Sequence, residues 1–229
     1  FTSKIYTDLG LLTSNHEIGE DATHVFNYLT GYSNKHEFNH LLVAPVSLRS
    51  GLETLIEREI EHARRGRPSG MIFKVNSVAD QKVITKLYEA SKAGVRQDLI
   101  VRGICCLRPG VEGVSEKIRV RSIIGRFLEH SRIYYFENGG KPEIYCGSAD
   151  LMERNLSRRV EILFPVIDQE ILDHLKQNLD LMLSDNTLAF NLQQDGSYRR
   201  ISKKAQDPEI NSQIKLLEWY AEENPIGSV

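Results

Sequence analysis

The feature that most constrains the fold is a regular alternation of strand-like and helix-like segments from residue 40 to residue 102. Short apolar runs have the length of buried strands, and the segments between them repeat apolar residues at helical spacing. In chain order, the pattern predicts a strand at 41–44, a helix at 50–64, a strand at 71–75, a helix at 80–94 and a strand at 98–102. Such alternation is typical of α/β folds, in which helices cover a mainly parallel sheet.

Capping residues mark where the predicted helices begin. Ser50 and Glu53 have the spacing of a capping box, and Asp80 and Asp168 precede amphipathic segments as N-caps. Further helices are predicted at 15–30, after Asp168, and around 214–220.

After residue 102 the spacing of the predicted elements changes. Strand-like segments occur at 118–124, 132–136, 143–146 and 159–164. The sequence Asn138-Gly139-Gly140 lies between the second and third of these strands and is a strong hairpin signal. The tail from 191 to 207 is polar, and no element is predicted there. The expected fold is therefore α/β, with a mixed, mainly parallel sheet flanked by helices.

Composition excludes several classes of protein. The chain has 229 residues, 41% of them hydrophobic, and a net charge of -2, so it is not a generally basic nucleic-acid coat. No apolar run approaches the roughly 18 residues of a membrane helix. Cys105, Cys106 and Cys146 lack the spacing of a disulfide framework or a zinc site. They indicate reduced thiols and a cytoplasmic location, with peripheral membrane association as an alternative.

Candidate chemistry concentrates between residues 119 and 161. Arg119, Arg121, Arg126 and Arg132 bring positive charge close to His130. In an extended segment, His130 and Arg132 point to the same face, because side chains alternate along a strand. A histidine beside guanidinium groups suits a phosphoryl group, since the imidazole moves protons and the cations neutralise oxygens.

A second part of the proposed site follows the strand at 143–146. The turn Gly147-Ser148-Ala149-Asp150 would let phosphate approach the backbone, and Asp150 could orient the imidazole of His130. Glu161 lies two residues after Arg159 on the same face of a predicted strand and could hold its guanidinium. Taken alone, a His-x-Arg pair, a Gly-Ser turn or an arginine beside an acid is more often an ordinary turn or a surface ion pair. Because they follow one another near strand ends, they favour a phosphate-binding site. His36 and His40 have a spacing that a metal could use, but their segment resembles a linker.

The motifs together resemble the C-terminal part of bacterial polyphosphate kinase. The matching segments are Tyr6-Thr7-Asp8, Pro68-Ser69-Gly70, Leu99–Cys105, His130-Ser131-Arg132, Glu137–Gly140, Gly147–Asp150, Arg154-Asn155 and Arg158–Glu161. This family has a phospholipase-D-like fold in its two C-terminal domains. The resemblance implies reversible transfer of the terminal phosphoryl group of ATP to polyphosphate, through a phosphohistidine and with Mg²⁺.

The resemblance also implies roles for individual residues. Tyr6 matches a nucleotide-binding tyrosine, and Arg102 matches an ATP-binding arginine. His130 matches the second active-site histidine, which binds ATP and serves as a general acid or base. Arg159 would contact phosphates. Three further candidates rest on geometry and not on the resemblance: Arg119 and Arg132 for phosphate binding, and Asp150 for support of the site.

One departure from the family pattern sets the expected domain organisation. The family's phosphorylated histidine lies in a His-x-Lys motif upstream of Tyr-Thr-Asp, and only five residues precede Tyr6. The family's Mg²⁺ ligands are also upstream. We therefore expect residues 1–39 to be the tail of a preceding phospholipase-D-like catalytic domain and residues 40–229 to form a complete C-terminal one. The full-length parent would be the kinase, and this chain alone would be inactive.

Two other functions stay open on the sequence alone. One is a phospholipase-D-like phosphodiesterase or nuclease lobe, and the other is a non-catalytic lobe for polyanion binding or oligomerisation. The expected partners are ATP or ADP, inorganic polyphosphate, the upstream domains of the same enzyme, and further copies in a homo-oligomer. No nucleic-acid partner and no transmembrane segment are expected.

Overall fold

The computed structural model describes residues 4–32, 37–203 and 206–223, and it places them around one large sheet with helices on both faces. The helices are α1 His16–Leu29, α2 Leu48–Arg64, α3 Gln81–Lys92, α4 Glu153–Ser157, α5 Gln169–Ser184 and α6 Ser212–Glu223. The strands are β1 Tyr6–Thr7, β2 Leu42–Ala44, β3 Gly70–Val75, β4 Arg96–Val101, β5 Ile118–Ile123, β6 Leu128–Glu129, β7 Arg132–Phe136, β8 Glu143–Gly147, β9 Glu161–Pro165, β10 Ala189–Leu192 and β11 Tyr198–Arg200.

The large sheet has nine strands in the order β11-β10-β5-β4-β3-β7-β8-β9-β2. The predicted mixed sheet flanked by helices is confirmed, but the expectation that it is mainly parallel is wrong. Among the described strands, only β3–β4 and β4–β5 pair in parallel, and the other six neighbouring pairs are antiparallel. The reason is that β2 lies at the far edge beside β9, while the β7–β8 hairpin is inserted next to β3.

Alternating side chains of the central strands build two cores. In β7, Tyr134 and Phe136 pack with α2 and α3, whereas Ile133 and Tyr135 pack with α5 on the opposite face. Aliphatic side chains at helical spacing complete each layer, such as Leu52 of α2. The three-layer arrangement follows from the period-2 pattern of strands between amphipathic helices.

The helix starts are partly as predicted. The carboxylates of Asp80 and Asp168 accept hydrogen bonds from backbone N–H groups three residues later, which confirms both as N-caps. The capping box at Ser50 is wrong, because α2 already begins at Leu48. A turn sets this earlier start: Ser47 N donates to Val43 O (2.7 Å), and Ser47 Oγ accepts from Val43 N (3.1 Å).

Several elements lie where no strand was predicted. The polar tail contains β11 and the end of β10, and β10 extends the sheet through β5. A separate two-stranded sheet joins β1 in parallel to β6. The predicted helix at 15–30 is confirmed as α1, which packs through Ile18 and Val25 against the β2–β9 edge. Residues 33–36 of the predicted linker, including His36, lie outside the described residues.

No helix in the described part of the chain is long and apolar enough to cross a membrane. The three cysteines are free thiols. Burial raises the pKa of Cys105 to about 11 and that of Cys146 to about 12, so neither thiol is primed as a nucleophile near neutral pH.

Candidate active site

The short pairing of β1 with β6 brings the beginning of the chain to His130. Tyr6 is opposite Leu128, and Thr7 is opposite Glu129. The backbone N–H groups of His130 and Ser131 then both donate to Thr7 O, at 3.1 and 3.2 Å. The ring of Tyr6 lies edge-on to the imidazole, with ring centroids 4.8 Å apart. The two residues most strongly implied by the family resemblance are therefore direct neighbours.

The imidazole of His130 lies between an acid and a guanidinium group. Asp8 Oδ2 is 2.6 Å from His130 Nδ1, and Arg132 Nη1 is 3.1 Å from Nε2 and 3.3 Å from Nδ1. An atom nearly equidistant from both ring nitrogens lies over the ring face, because an in-plane position would overlap Cε1. Nη1 of Arg132 thus lies over the imidazole ring, while Asp8 contacts the ring edge.

The groups around Asp8 favour its charged form. Partial burial raises its pKa, but the hydrogen bond from His130, the backbone N–H of Leu9 and the positive charge of Arg132 together lower it below the ordinary value of 3.8. Asp8 was not among the predicted site residues, although it stands in the Tyr6-Thr7-Asp8 motif. The contact of Asp8 with His130 could be recognised only from the pairing of β1 with β6, which lie more than 120 residues apart in the chain.

Asp150 acts on Arg132 and does not contact the imidazole, so the expectation that it orients His130 is wrong. Its carboxylate accepts from Arg132 Nε (3.3 Å) and Nη2 (3.2 Å). Both side chains are largely buried, with relative exposures of 13% for Arg132 and 9% for Asp150. The pair fixes the plane of the guanidinium that covers the ring.

Asn76 links this group to Arg102. Its backbone N–H donates to Asp150 Oδ1 (2.7 Å), and its side-chain Oδ1 accepts from Arg102 Nε (2.9 Å). Asn76 directly follows β3 and Arg102 directly follows β4, so two parallel neighbouring strands deliver them to the same edge of the sheet. Tyr6, Arg102, His130, Arg132 and Asp150 therefore form one connected cluster.

A buried ion pair lies beneath the histidine. Lys74 Nζ is 3.2 Å from Glu129 Oε2 and donates to Ser131 O (3.1 Å) and Ser131 Oγ (2.8 Å). Burial lowers the pKa of Lys74, and the attraction of Glu129 opposes that shift. The pair holds the backbone on both sides of His130.

Arg119 and Arg159 lie outside the cluster. Arg119 Nε and Nη2 donate to Asp98, at 2.6 and 2.9 Å, where β4 and β5 begin. Arg159 is exposed after α4. The expected Arg159–Glu161 pair is not formed, since Glu161 lies within β9 and accepts from Asn155 Nδ2 at 2.5 Å.

Strand packing explains why residue 147 is a glycine, and the sequence alone did not reveal this. It is opposite Arg132 in the β7–β8 ladder and beside Leu163 in β9. A Cβ at this position would lie 1.9 Å from Ile162 O. Glycine is thus required here because β9 approaches closely. This contact is with the protein backbone, so it does not support the expectation that the small residue makes room for phosphate.

The site offers no cradle for the Mg²⁺ that the family resemblance implies. Among the described residues, no group of three or more His, Cys, Asp or Glu side chains is placed to hold a metal ion. Two acids of the cluster, Asp8 and Asp150, are each engaged by a cation or by the imidazole. These residues do not fit a divalent cation, and no step of the chemistry below depends on one.

Comparison with family models gives two matches. Residues 41–213 match the model described as polyphosphate kinase C-terminal domain 2, and residues 1–35 match polyphosphate kinase C-terminal domain 1. A polyphosphate kinase of Parasynechococcus marenigrum is 53% identical over 98% of this chain, and one of Pseudomonas aeruginosa is 51% identical over 96%. The chain spans 32% of the length of each of these relatives.

Solved structures agree with this relationship. The polyphosphate kinase from Porphyromonas gingivalis superposes with a TM-score of 0.89 at 38% identity, over 92% of this chain and 32% of that one. Nuc from Salmonella typhimurium, a phospholipase D family member, shares the fold with a TM-score of 0.50 at 11% identity, over 67% of this chain and 96% of that one. The α/β fold is therefore phospholipase-D-like, and the chain belongs to the polyphosphate kinase family, within its C-terminal region.

Proposed function

We propose that this chain supplies the His130 side of the active site of a polyphosphate kinase, which transfers the terminal phosphoryl group of ATP reversibly to inorganic polyphosphate. The observation that carries the proposal is the connected cluster around His130. One imidazole lies between a carboxylate and a guanidinium, with a tyrosine at its edge and a second arginine attached through Asn76. Phosphoryl transfer depends mainly on such positioning and charge neutralisation.

In the proposed mechanism, each residue of the cluster has a distinct task. Arg102 and Arg132 hold phosphate oxygens and neutralise charge that develops as the bond to the γ-phosphorus breaks. His130 gives a proton to the departing oxygen, or takes one in the reverse direction. Asp8 keeps the imidazole oriented through Nδ1. Tyr6 contacts the nucleotide beside the ring, and Arg159 contacts the phosphate chain farther from the reacting atoms.

We further propose that the phosphoryl-accepting histidine and the Mg²⁺ ligands lie in parts of the enzyme outside this chain, so that the chain alone is inactive. Other described histidines are engaged elsewhere: His40 contacts Glu17, His62 contacts Asn138, and His174 contacts Tyr220. None of these contacts belongs to the His130 cluster.

The experiment is to incubate the full-length enzyme with ATP labelled at the γ-phosphate and to separate labelled polymer from free nucleotide. Labelled polymer that shortens again when ADP is added supports the proposal. Cleavage of a phosphodiester without ATP, and no polymer, would instead support a phosphodiesterase. Neither reaction, with retained binding of polyphosphate, would indicate a binding lobe. The 229-residue chain alone is expected to make no polymer.

A further inference from the structure

Asn76 occupies a junction between the parts of the His130 cluster. It lies at the carboxyl end of β3 and is 5% exposed. Its carbonyl oxygen accepts from Gly103 N (2.7 Å), which fixes the backbone that follows Arg102. A Cβ at Gly103 would lie 2.9 Å from that same oxygen, so the two segments are in close contact.

The side chain of Asn76 holds one specific nitrogen of Arg102. The hydrogen bond from Arg102 Nε to Asn76 Oδ1 is 2.9 Å long. In the part of the chain that the structure describes, neither Nη atom of Arg102 makes a hydrogen bond or an ion pair. Anchoring Nε removes rotamer freedom from the guanidinium while its two terminal nitrogens stay available for two oxygens of an anion.

The backbone of Asn76 holds the second arginine indirectly. Its N–H donates to Asp150 Oδ1 (2.7 Å), and Asp150 binds Arg132 at both Nε and Nη2. One residue therefore sets the separation of two guanidinium groups that come from different strands. Phosphate oxygens within one polyphosphate unit have a fixed spacing, so a fixed separation of the cations favours their binding.

We propose that Asn76 is a positioning residue for phosphate binding, which acts through Nε of Arg102 and does not contact the substrate itself. The inference rests on the proposed function, because it takes Arg102 as an ATP-binding group. It predicts that the side chain of Asn76 contributes to ATP affinity only while Arg102 can donate from Nε.

The test is a double-mutant cycle on the full-length enzyme, with the dissociation constant of a non-hydrolysable ATP analogue measured by calorimetry. Asn76→Ala and Arg102→Ala are each expected to weaken binding by about tenfold or more, as for loss of a hydrogen bond to a charged group. The double variant is expected to bind no more weakly than Arg102→Ala alone. Asn191→Ala, an exposed asparagine of β10 in the same sheet, is the matched control and should bind as the wild type does.

Arg102→Lys provides a second variant that leaves Asn76 unchanged. Lysine keeps the positive charge but has no Nε–H donor, so binding should weaken by about tenfold despite the retained charge. Wild-type affinity in Arg102→Lys would overturn the inference, even if Asn76→Ala failed to fold.

The cycle separates failure of the inference from failure of the proposed function. If Arg102→Ala binds the analogue normally, ATP does not use Arg102, and the proposed site itself is wrong. If Arg102→Ala weakens binding but Asn76→Ala has no effect, or their effects multiply in the double variant, only the role of Asn76 is overturned.

Discussion

At the scale of single residues, the site depends on opposite charges placed on different sides of one imidazole ring. Asp8 contacts the ring edge at Nδ1, and Arg132 covers the ring face. Asp150 keeps Arg132 in that position. The ring is therefore held in one orientation by groups from the segment after β1, from β7 and from the turn after β8, while its nitrogens lie close to a cation that would attract phosphate.

Replacing Asp8 tests this arrangement. Asp8→Asn removes the charge beside Nδ1 and changes the donor and acceptor pattern at the ring. We expect kcat for polymer synthesis by the full-length enzyme to fall by about tenfold to a hundredfold. This loss is no larger than the smallest contribution that general acid–base catalysis usually makes, about a hundredfold. Steady-state kinetics measure the loss. Asp173→Asn, on the exposed face of α5, is the control and should retain wild-type kcat; equal rates for the two variants would contradict the role of Asp8.

Sequence predicted part of the site at this scale. His130 and Arg132 share a face because strand side chains alternate, and this local rule holds in the structure. The predicted partner of the imidazole, Asp150, was wrong. Asp8 contacts the ring instead, because β1 pairs with β6, and no local spacing reveals such a long-range contact. Arg119 was predicted from its position near His130 in the sequence, but in the structure it pairs with Asp98 on the neighbouring strand.

At the scale of secondary-structure elements, local rules located most helices and strands but did not determine their neighbours. Asp80 and Asp168 cap their helices through contacts three residues away, which a sequence shows directly. The place of β2 at the sheet edge depends on packing of the whole chain. β11 was missed because an exposed strand at the sheet edge lacks the apolar alternation that marks a half-buried strand. The end of β10 was missed because this four-residue strand is buried only at its two ends and does not show that alternation either.

Asp80 also joins two helices, and its charge makes that junction sensitive to pH. Arg49 of α2 donates two hydrogen bonds to it, and these, together with the backbone N–H of Val83, lower the pKa of Asp80 below the ordinary value of 3.8 despite burial. A carboxyl whose pKa is lower in the folded state than in the unfolded state adds to the free energy of unfolding at pH values above its unfolded-state pKa. This added stability disappears as pH falls through the folded-state pKa.

We therefore expect Asp80→Asn to lower the free energy of unfolding by about 2 kcal/mol near neutral pH, through loss of the charged hydrogen bonds. The difference from wild type should shrink as pH falls below the ordinary value of 3.8 and on through the lower folded-state pKa of Asp80, because the wild-type carboxylate is then protonated in both states. Urea unfolding at a series of pH values measures it. Asp168→Asn is the control, since Asp168 is an exposed cap, and asparagine caps nearly as well as aspartate. A difference that does not change with pH would contradict the account.

At the scale of the whole molecule, one buried junction connects the beginning, middle and end of the described chain. Glu129 accepts from Thr7 Oγ1 of β1 (3.3 Å) and from Gln213 Nε2 of α6 (2.8 Å), and it pairs with Lys74 of β3. Gln213 also bonds both backbone groups of Phe127, at 3.0 and 2.9 Å. The segment that carries His130 thus lies between the first strand and the last helix.

Removal of the Gln213 amide should destabilise this junction. Gln213→Ala leaves the N–H and the carbonyl of Phe127 without their partner, and we expect a loss of about 2 kcal/mol in the free energy of unfolding. Denaturant unfolding measures the change. Gln169→Ala removes an exposed amide on α5 whose one side-chain hydrogen bond to a described residue is to Asp173, so the change in the free energy of unfolding should stay within about 0.5 kcal/mol. Equal small effects of both variants would show that the junction does not stabilise the fold.

The central claim is that His130 takes part in phosphoryl transfer, and the rate of label transfer from ATP to polymer tests it most directly. In the full-length enzyme, His130→Ala is expected to reduce the initial rate by about a hundredfold or more, since general acid–base help and phosphate contacts are lost together. His16→Ala, at the exposed start of α1, is the matched control and should leave the rate unchanged. A His130→Ala enzyme that makes polymer at a rate close to wild type would contradict the claim.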